Sequence, residues 1–504
     1  MLRLAPRKYQ EQIFSSIVNN GSTLVVLPTG LGKTLIALML IDKFYKQGKQ
    51  CFVLAPTKPL VEQHFSSILS RTDIPSDKVV MVTGAVPPKE RKTLWDLPVI
   101  VSTPQTVAND IEKNIFEFKA DLCVFDEAHR AVGEYAYTKI AEKAKQRNAL
   151  LLGLTASPGS DRKKIKEIMD NLGIVNVELR EKQDEDVKPY VQPTDIQWEK
   201  VELSPNLSKA SKYLKQMTDE KIEFFQSWGI RGRFTSKAFL IGLRDKILKT
   251  ESVKKYMLLS QYSYLFNLIH LLELVQTQGP KASLEYIDQL SKKKTKASTA
   301  LFRDPRFTQA ISLLKSGEKH PKLLKLIELI KKEPGQIIVF SQYVSQIQNI
   351  SDELNFSGVS NSVFIGQRKG FTQKKQKEII ERFRKNEFKV LVSSSVGEEG
   401  LDIPSVDTVI FFEPIPSAIR SIQRRGRAGR MRSGRVIILL TKNTQDEAFY
   451  WSSQSKEKKM KKIVRDISEK NNTTLKFEKV FSKLPRKKPK KDEKKPPQAK
   501  LFDF

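Results

Sequence analysis

Residues 23–34 combine an apolar run with a glycine-rich turn that could hold the phosphates of a nucleotide. The run 23–27 leads into the turn, and an amphipathic stretch, 35–45, follows it. In such a turn the backbone N–H groups and the N-terminus of the next helix face an anion, a lysine reaches the β and γ phosphates, and a hydroxyl binds Mg²⁺. Leu27 departs from the general pattern, which has glycine at that position. We predict that ATP binds at Thr29, Gly30, Gly32, Lys33 and Thr34, with Thr34 also binding Mg²⁺.

A second group of polar residues follows the apolar run 122–125, where the sequence reads Asp126-Glu127-Ala128-His129. Acidic side chains at the tip of a buried strand lose hydration energy unless they bind something. We expect Asp126 to hold Mg²⁺, directly or through water, and Glu127 to accept a proton from the water that attacks ATP. The alternative, a pair of loop-capping residues, is less consistent with a phosphate-binding turn upstream.

A third group lies far along the chain, in the segment 420–430, which contains five arginines and two glycines. In many enzymes that hydrolyse nucleotides, arginine stabilises the charge of the γ phosphate in the transition state, with a gain of about 10³ or more. The first two groups provide no guanidinium for this role. We therefore predict that Gln423, Arg427 and Arg430 complete the catalytic site when a second domain closes on the first. A solvated helix face is the alternative.

Short apolar runs alternate with longer amphipathic stretches in two parts of the chain, which predicts α/β domains with parallel sheets. The first part runs to about residue 195 and the second from about 320 to 465. Between them, apolar residues recur at spacings of three and four, which indicates helices. The predicted fold class is α/β, with domains at 1–200 and 311–468, a helical insertion at 201–310 and a disordered basic tail at 469–504.

The charge of the chain favours a polyanionic partner. Its 504 residues include 88 Lys and Arg against 57 Asp and Glu, a formal net charge of +31. Nucleic acid is therefore the first candidate partner, and an anionic membrane the second. The longest apolar run, 35–41, is too short to span a bilayer, and the first ten residues lack a secretion signal. We expect an intracellular, cytoplasmic protein that associates with the nucleoid.

The order of these groups resembles the motif order of superfamily 2 helicases over nearly all of residues 1–465. The resemblance implies two RecA-like domains, ATP and Mg²⁺ as cofactors, and roles for further residues. Arg7 and Gln10 would read the adenine, while Gly400 and Asp402 would join the nucleotide site from the second domain. Nucleic-acid contacts would come from motifs in both domains: Thr57, Lys58, Thr83, Gly84, Thr103, Ser341, Gln342 and Ser394. Thr155-Ala156-Ser157 resembles the motif that couples hydrolysis to movement, a role that His129 would share.

More narrowly, the segments 124–132, 154–158, 413–426 and 450–453 are similar to archaeal Hef and its eukaryotic relative FANCM. That family implies an ATP-dependent DNA helicase or translocase that acts on forked or branched DNA in replication-fork repair and recombination. The insertion is similar to one shared with Dicer-type and RIG-I-like helicases, so an ATPase directed by double-stranded RNA is one alternative. A fork-binding scaffold with weak ATPase activity is another.

Hef proteins commonly carry a C-terminal XPF-type nuclease, and the chain ends before one could fit, so we do not expect nuclease activity. Residues 90–96 match the nuclease pattern ERKxxxD, but they lie between two motifs of the first domain. We interpret them as a chance match on a surface helix. Gln498, Leu501 and Phe504 have the spacing of a peptide that binds the sliding clamp PCNA, although three positions specify little and a random apolar end is the alternative.

The histidines and cysteines give no sign of a separate metal site. His64, His270 and His320 are scattered without ligand spacing, and we expect them to be polar or satisfied core residues. Cys51 and Cys123 each lie in an apolar run, so buried free thiols are expected rather than a disulfide.

Overall fold

The computed structural model describes residues 2–190, 194–251, 254–366, 371–394, 406–414 and 434–481. The first sheet is built from β1 Thr23–Val26, β2 Cys51–Leu54, β3 Val79–Val82, β4 Val99–Ser102, β5 Leu122–Asp126, β6 Leu150–Thr155 and β7 Asn176–Leu179. Its strands are parallel and lie in the order β3-β4-β2-β5-β6-β1-β7. The carboxyl ends of β1 and β5, which lead into the phosphate-binding turn and the acidic motif, therefore lie at the same edge of this sheet.

Helices cover both faces of the first sheet. They are α1 Lys8–Asn20, α2 Lys33–Lys46, α3 Lys58–Arg71, α4 Pro88–Leu94, α5 Pro104–Glu112, α6 Ala136–Gln146 and α7 Arg162–Asn171. The central strands β1, β2, β4 and β5 are buried along their whole length, as expected for parallel strands packed on both faces. Both cysteines are free and buried in this domain, as predicted.

The insertion consists of α8 Pro205–Ser227, α9 Lys237–Lys249, α10 Lys255–Thr277, α11 Pro280–Lys292, α12 Lys296–Arg303 and α13 Pro305–Leu314. Two apolar clusters hold these helices together. One contains Leu214, Leu268 and Phe307, and the other Phe225, Leu243 and Leu265. Helices α8 and α10 contribute to both clusters, and α10 also contacts α9, α11 and α12, so α10 is the central helix of the insertion.

The second sheet is built from β8 Thr194–Val201, β9 Ile337–Phe340, β10 Asn361–Phe364, β11 Val390–Ser393, β12 Thr408–Phe411 and β13 Gly434–Thr441, with α14 Pro321–Lys332, α15 Val344–Phe356 and α16 Gln373–Arg384 around it. Its strands are also parallel, in the order β10-β11-β9-β12-β13-β8. The predicted α/β class with two parallel sheets is thus confirmed. The boundary that we predicted at residue 200 lies inside β8, because this strand pairs with β13 over eight residues.

A long helix, α17 Gln445–Phe481, connects the two sheets. Near its start, the fully buried Asp446 accepts a hydrogen bond from Lys322 Nζ of α14 at 2.9 Å. Further along, Met460, Ile463 and Val464 belong to the apolar core of the first domain. The helix extends beyond residue 469, where we predicted a disordered tail to begin. Residues 482–504, which contain the predicted clamp-binding positions 498, 501 and 504, lie outside the described residues.

None of the helices in the described ranges combines the length and apolar character that a membrane span requires.

Candidate nucleotide-hydrolysis site

The turn after β1 has the backbone shape of a phosphate cradle. Gly30 and Gly32 adopt positive φ angles of 86° and 71°, which glycine tolerates best. A Cβ atom at Gly32 would lie 2.4 Å from Gln10 Nε2, so a side chain at this position would displace the Gln10 amide. Helix α2 begins directly after it, and Lys33 Nζ donates to the carbonyl oxygen of Leu27 at 3.0 Å. The turn, the lysine and the helix N-terminus thus lie together, an arrangement suited to an anion.

The N-terminus of α1 contacts this turn through two hydrogen bonds. Tyr9 donates its hydroxyl hydrogen to the carbonyl oxygen of Leu31 at 2.7 Å, and Gln10 Nε2 donates to the same oxygen at 3.2 Å. Burial raises the pKa of Tyr9, so the hydroxyl stays protonated as a donor. The Arg7 guanidinium lies 5.0 Å from the ring centroid of Tyr190. The residues predicted to read adenine therefore lie next to the phosphate turn, and Tyr9 joins them.

Asp126 lies at the end of β5 with both carboxylate oxygens engaged. Its Oδ1 accepts from the backbone N–H of Glu127 at 3.0 Å, and its Oδ2 lies 2.8 Å from His64 Nε2 of α3. Burial raises the pKa of the Asp126 carboxyl, but the hydrogen bond and charge of His64 and the charge of Lys33 outweigh it, so the pKa lies below its usual range. Asp126 is therefore a carboxylate at neutral pH, and His64 Nε2 is the donor.

Glu127 is held in a left-handed conformation, with a φ angle of 50°. This costs a residue other than glycine about 1–3 kcal/mol, and such strain concentrates at functional sites. One Glu127 carboxylate oxygen lies 3.2 Å from His129 Nδ1, which is also 3.3 Å from Thr155 Oγ1. The backbone N–H of Ser157 donates to that Thr155 hydroxyl at 3.1 Å. The acidic motif and the coupling motif after β6 are thus in direct contact.

The donor atoms at this sheet edge suit a hard cation bound together with phosphates. Mg²⁺ prefers oxygen ligands and usually binds through one or two carboxylates plus substrate phosphates. Asp126 supplies a carboxylate, and Thr34 supplies a half-buried hydroxyl at the second position of α2. Beside the turn lies a cavity of about 250 Å³ whose walls include Thr29, Arg180 of the first domain and Met460 of α17.

Comparison with known proteins identifies the fold that carries this site. A model of the "Type III restriction enzyme, res subunit" family matches residues 3–160, and a model of the "Helicase conserved C-terminal domain" matches residues 318–432. The crystal structure of the Pyrococcus furiosus Hef helicase domain matches with a TM-score of 0.71 and 42% sequence identity, covering 90% of this chain and 99% of that chain. The chain belongs to the Hef helicase family.

Two curated relatives extend this Hef family assignment. MJ1505 of Methanocaldococcus jannaschii, named provisionally as an ATP-dependent RNA helicase, is 40% identical over 92% of this chain and 61% of its own length. The ATP-dependent DNA helicase MPH1 of Pyricularia oryzae is 32% identical over 89% of this chain and 45% of its own length. This Hef-family chain thus spans less than two thirds of both relatives.

In this Hef helicase, two predicted nucleic-acid motifs of the first domain lie side by side. Thr83 and Gly84 directly follow β3, and Thr103 precedes α5, where its hydroxyl lies 2.7 Å from that of Thr106. A Cβ atom at Gly84 would lie 3.9 Å from the same Thr106 hydroxyl. Thr57 and Lys58 mark the start of α3, at the carboxyl end of the neighbouring strand β2. These residues share the carboxyl edge of the sheet.

A buried ion pair fixes the segment that follows Gly84. Arg91 of α4 donates to both oxygens of Asp110 on α5, at 2.7 and 2.6 Å, and also to the carbonyl oxygen of Val86. Trp95 Nε1 donates to Asp110 Oδ2 at 3.1 Å. We expected residues 90–96 to form a surface helix, but Arg91 is only 7% exposed because it is paired. The nuclease-like pattern therefore contains a structural arginine.

In the second domain, Ser341 and Gln342 follow β9 and share one partner. The Glu413 carboxylate accepts from the Ser341 hydroxyl at 3.3 Å and from the backbone N–H of Gln342. The next residue, Tyr343, donates its hydroxyl hydrogen to Glu273 of α10 at 3.1 Å, which connects this motif to the insertion. Ser394 is buried after β11. The remaining predicted residues of this domain lie outside the described residues: Gly400, Asp402, Gln423, Arg427 and Arg430.

Sequence reasoning missed two residues that contact the nucleotide site, His64 and Tyr9, and one arginine that is buried near the predicted nucleic-acid motifs, Arg91. His64 is a core histidine with a polar partner, as expected, but the sequence did not reveal that this partner is Asp126. Tyr9 was part of the segment we assigned to adenine recognition but had no role of its own, and Arg91 was dismissed with the chance match. For His64 the sequence did contain a signal, since Val61, His64 and Ile68 lie on one buried face of α3. A polar residue among buried apolar ones needs a partner.

Proposed function

We propose that this protein is an ATP-dependent DNA helicase or translocase that acts on forked or branched DNA, in replication-fork repair and recombination. The observation that supports the catalytic part is the contact between Glu127, His129 and Thr155 at the sheet edge next to the phosphate turn. This contact connects Glu127, which is suited to deprotonate water, with Thr155, which belongs to the motif expected to couple hydrolysis to movement. The family assignment supports the nucleic-acid part.

In the proposed mechanism, Lys33 moves from the Leu27 carbonyl to the β and γ phosphates of ATP, and the turn N–H groups hold the remaining oxygens. Thr34 and Asp126 would hold Mg²⁺, which neutralises charge that develops on the phosphates. Glu127 orients the attacking water and accepts its proton. Arg7 and Gln10 would hold the adenine at the N-terminus of α1.

Positive charge from the second domain would complete this site. We propose that Gln423, Arg427 and Arg430 approach the γ phosphate when the two domains close, and that Gly400 and Asp402 contribute from the same side. An arginine that enters only on closure makes hydrolysis depend on domain position. Hydrolysis and movement are thereby coupled.

The predicted nucleic-acid residues of both domains would bind the sugar-phosphate backbone, since most sequence-independent affinity comes from phosphate contacts. In the first domain they are Thr57, Lys58, Thr83, Gly84 and Thr103; in the second they are Ser341, Gln342 and Ser394. Each cycle of closure would shift one set relative to the other. The Tyr343–Glu273 hydrogen bond supports a role for the insertion in gripping the duplex arm of a fork.

The positions Gln498, Leu501 and Phe504 would bind the sliding clamp PCNA, and a protein with these partners would work inside the cell, at the nucleoid. Loss of clamp binding after Leu501→Ala and Phe504→Ala would support the clamp interaction. Unchanged binding would refute it.

The ATPase rate of the full chain with different nucleic acids tests the substrate. Single-stranded DNA, duplex DNA, a fork, a four-way junction and double-stranded RNA are compared at equal nucleotide concentration. The relatives' names are divided between RNA and DNA helicases, so both classes are needed. We expect the fork or the junction to stimulate hydrolysis most. Stronger stimulation by double-stranded RNA would replace the proposal with an RNA-directed ATPase.

A further inference from the structure

His64 occupies a position that its place in the sequence does not suggest. It lies in the middle of α3, yet its Nε2 atom is 2.8 Å from Asp126 Oδ2 at the end of β5. The histidine is 6% exposed and the aspartate 9% exposed. Both groups are therefore largely shielded from bulk water, which strengthens the hydrogen bond between them.

The packing of α3 leaves His64 little freedom. Val61 and Ile68, one turn on either side of it, are buried in the core beneath the sheet. Helix α3 follows β2, and β2 pairs directly with β5, so the helix lies close to the end of the strand that carries Asp126. The imidazole is thus held at a fixed distance from the carboxylate.

The hydrogen bonds of Asp126 leave a defined set of lone pairs. An ionised carboxylate has about four acceptor positions, two on each oxygen. The backbone N–H of Glu127 uses one on Oδ1, and His64 uses one on Oδ2. With both oxygens held, the plane of the carboxylate is fixed, and one acceptor position on each oxygen remains for a cation or its bound water.

We propose that His64 is a positioning residue that orients the Asp126 carboxylate for Mg²⁺ in the nucleotide site. This inference rests on the proposed role of Asp126 in holding Mg²⁺. Groups that hydrogen-bond to metal-binding side chains fix their orientation, and their loss lowers metal affinity by about 10–100-fold. A histidine that only fills the core would have no effect on Mg²⁺ beyond its effect on folding.

The experiment measures how Mg²⁺ strengthens the binding of a fluorescent ADP analogue to the full chain. His64→Leu removes the donor, while His64→Gln keeps an N–H donor at a similar reach. His64→Met is a second variant without a donor, in case His64→Leu does not fold. Asp126→Asn reports on the proposed metal role itself. His270→Leu is the matched control, because His270 is half-buried in the insertion, 4.7 Å from the Tyr286 ring.

We expect His64→Leu or His64→Met to raise the half-saturating Mg²⁺ concentration about tenfold, while binding of the analogue in EDTA stays unchanged. His64→Gln should stay within about twofold of the wild type, and His270→Leu should not differ from it. Equal defects in His64→Gln and His64→Leu would overturn the proposal, because packing and not the hydrogen bond would then matter.

A normal Mg²⁺ response in His64→Leu together with a weakened one in Asp126→Asn would also overturn this inference, but would leave the metal role of Asp126 intact. A normal response in Asp126→Asn would instead refute that metal role, and with it the basis of the inference. The two failures are therefore distinguishable, and neither depends on the choice of nucleic acid.

Discussion

Lys33 is the residue whose removal separates nucleotide chemistry from nucleic-acid binding. Its Nζ atom lies within the phosphate turn, 3.0 Å from the Leu27 carbonyl oxygen. Lys33→Ala removes the charge that would reach the β and γ phosphates, so we expect DNA-stimulated ATP hydrolysis to fall at least about 100-fold. The affinity for DNA, measured by fluorescence anisotropy without nucleotide, should change less than about threefold, since the predicted DNA contacts lie elsewhere.

Lys46→Ala is the control for this substitution. Lys46 lies on the same helix, where it pairs with Asp42 at 2.6 Å on an exposed surface. The Lys46→Ala variant should therefore hydrolyse ATP at the wild-type rate. Unchanged turnover in Lys33→Ala would refute the nucleotide site, and equal losses in both variants would point to damage to α2.

At this scale, the sequence was informative where a motif is contiguous. The turn 28–34 and the motif 126–129 could be identified because each occupies a few consecutive residues after an apolar run. The contacts His64–Asp126 and Arg91–Asp110 join different elements, and their partners are set by helix packing. No local pattern encodes such a pairing, so only the structure reveals it.

Among the elements, α17 should contribute to the stability of the first domain. Ile463, together with Met460 and Val464, lies in the apolar core of the first domain although the helix starts at the second sheet. Ile463→Ala should therefore destabilise the first domain by about 2–5 kcal/mol, as for other buried aliphatic truncations. The stabilities of the Ile463→Ala variant and the wild type are compared by thermal unfolding, which is followed by circular dichroism.

Lys459→Ala, an exposed position on the same helix, should change stability by less than about 0.5 kcal/mol. If both variants unfold like the wild type, α17 does not dock on the first domain.

The free energy of unfolding should depend on pH through His320, which lies at the N-terminus of α14. Its Nδ1 accepts from the backbone N–H of Lys322 at 3.1 Å, and burial, with the nearby Lys322 charge, lowers the pKa of His320 to about 3. The unfolded chain takes up a proton near pH 6.5 that the folded chain does not. Stability from this group is therefore complete above pH 6.5 and is lost as the pH falls towards 3, by up to about 1.4 kcal/mol per pH unit.

His320→Asn keeps a capping side chain but cannot titrate, so its stability should fall less steeply between pH 6.5 and pH 5. Denaturant unfolding at several pH values measures the two slopes. Parallel curves for wild type and variant would show that His320 is not the titrating group.

Element prediction from the sequence was reliable for the strands and poor for the connections. The apolar runs 23–27 and 122–125 form strands because buried parallel strands need continuous apolar sequence. The place of β8 was not predictable, because its partner β13 lies more than two hundred residues further along the chain. The docking of α17 on the first domain likewise depends on tertiary contacts.

For the whole molecule, the two sheets are connected in more ways than a single linker would allow. Lys377 of α16 lies 2.8 Å from Glu62 of α3, and Arg465 of α17 lies 2.9 Å from Glu181 of the first domain. Surface pairs of this kind contribute little energy each and can exchange partners. These two ion pairs would therefore not by themselves prevent a relative movement of the domains, whereas the apolar docking of α17 would keep that helix on the first domain.

We propose that hydrolysis at Lys33, Asp126 and Glu127 moves the protein along branched DNA. The most direct test is a gel assay of a labelled fork with homologous arms, incubated with the full chain and ATP. We predict ATP-dependent conversion of the fork by the wild type and none by Glu127→Gln, which should still bind both ATP and the fork. ATP hydrolysis by the wild type without any strand movement would contradict the claim and favour a fork-binding scaffold.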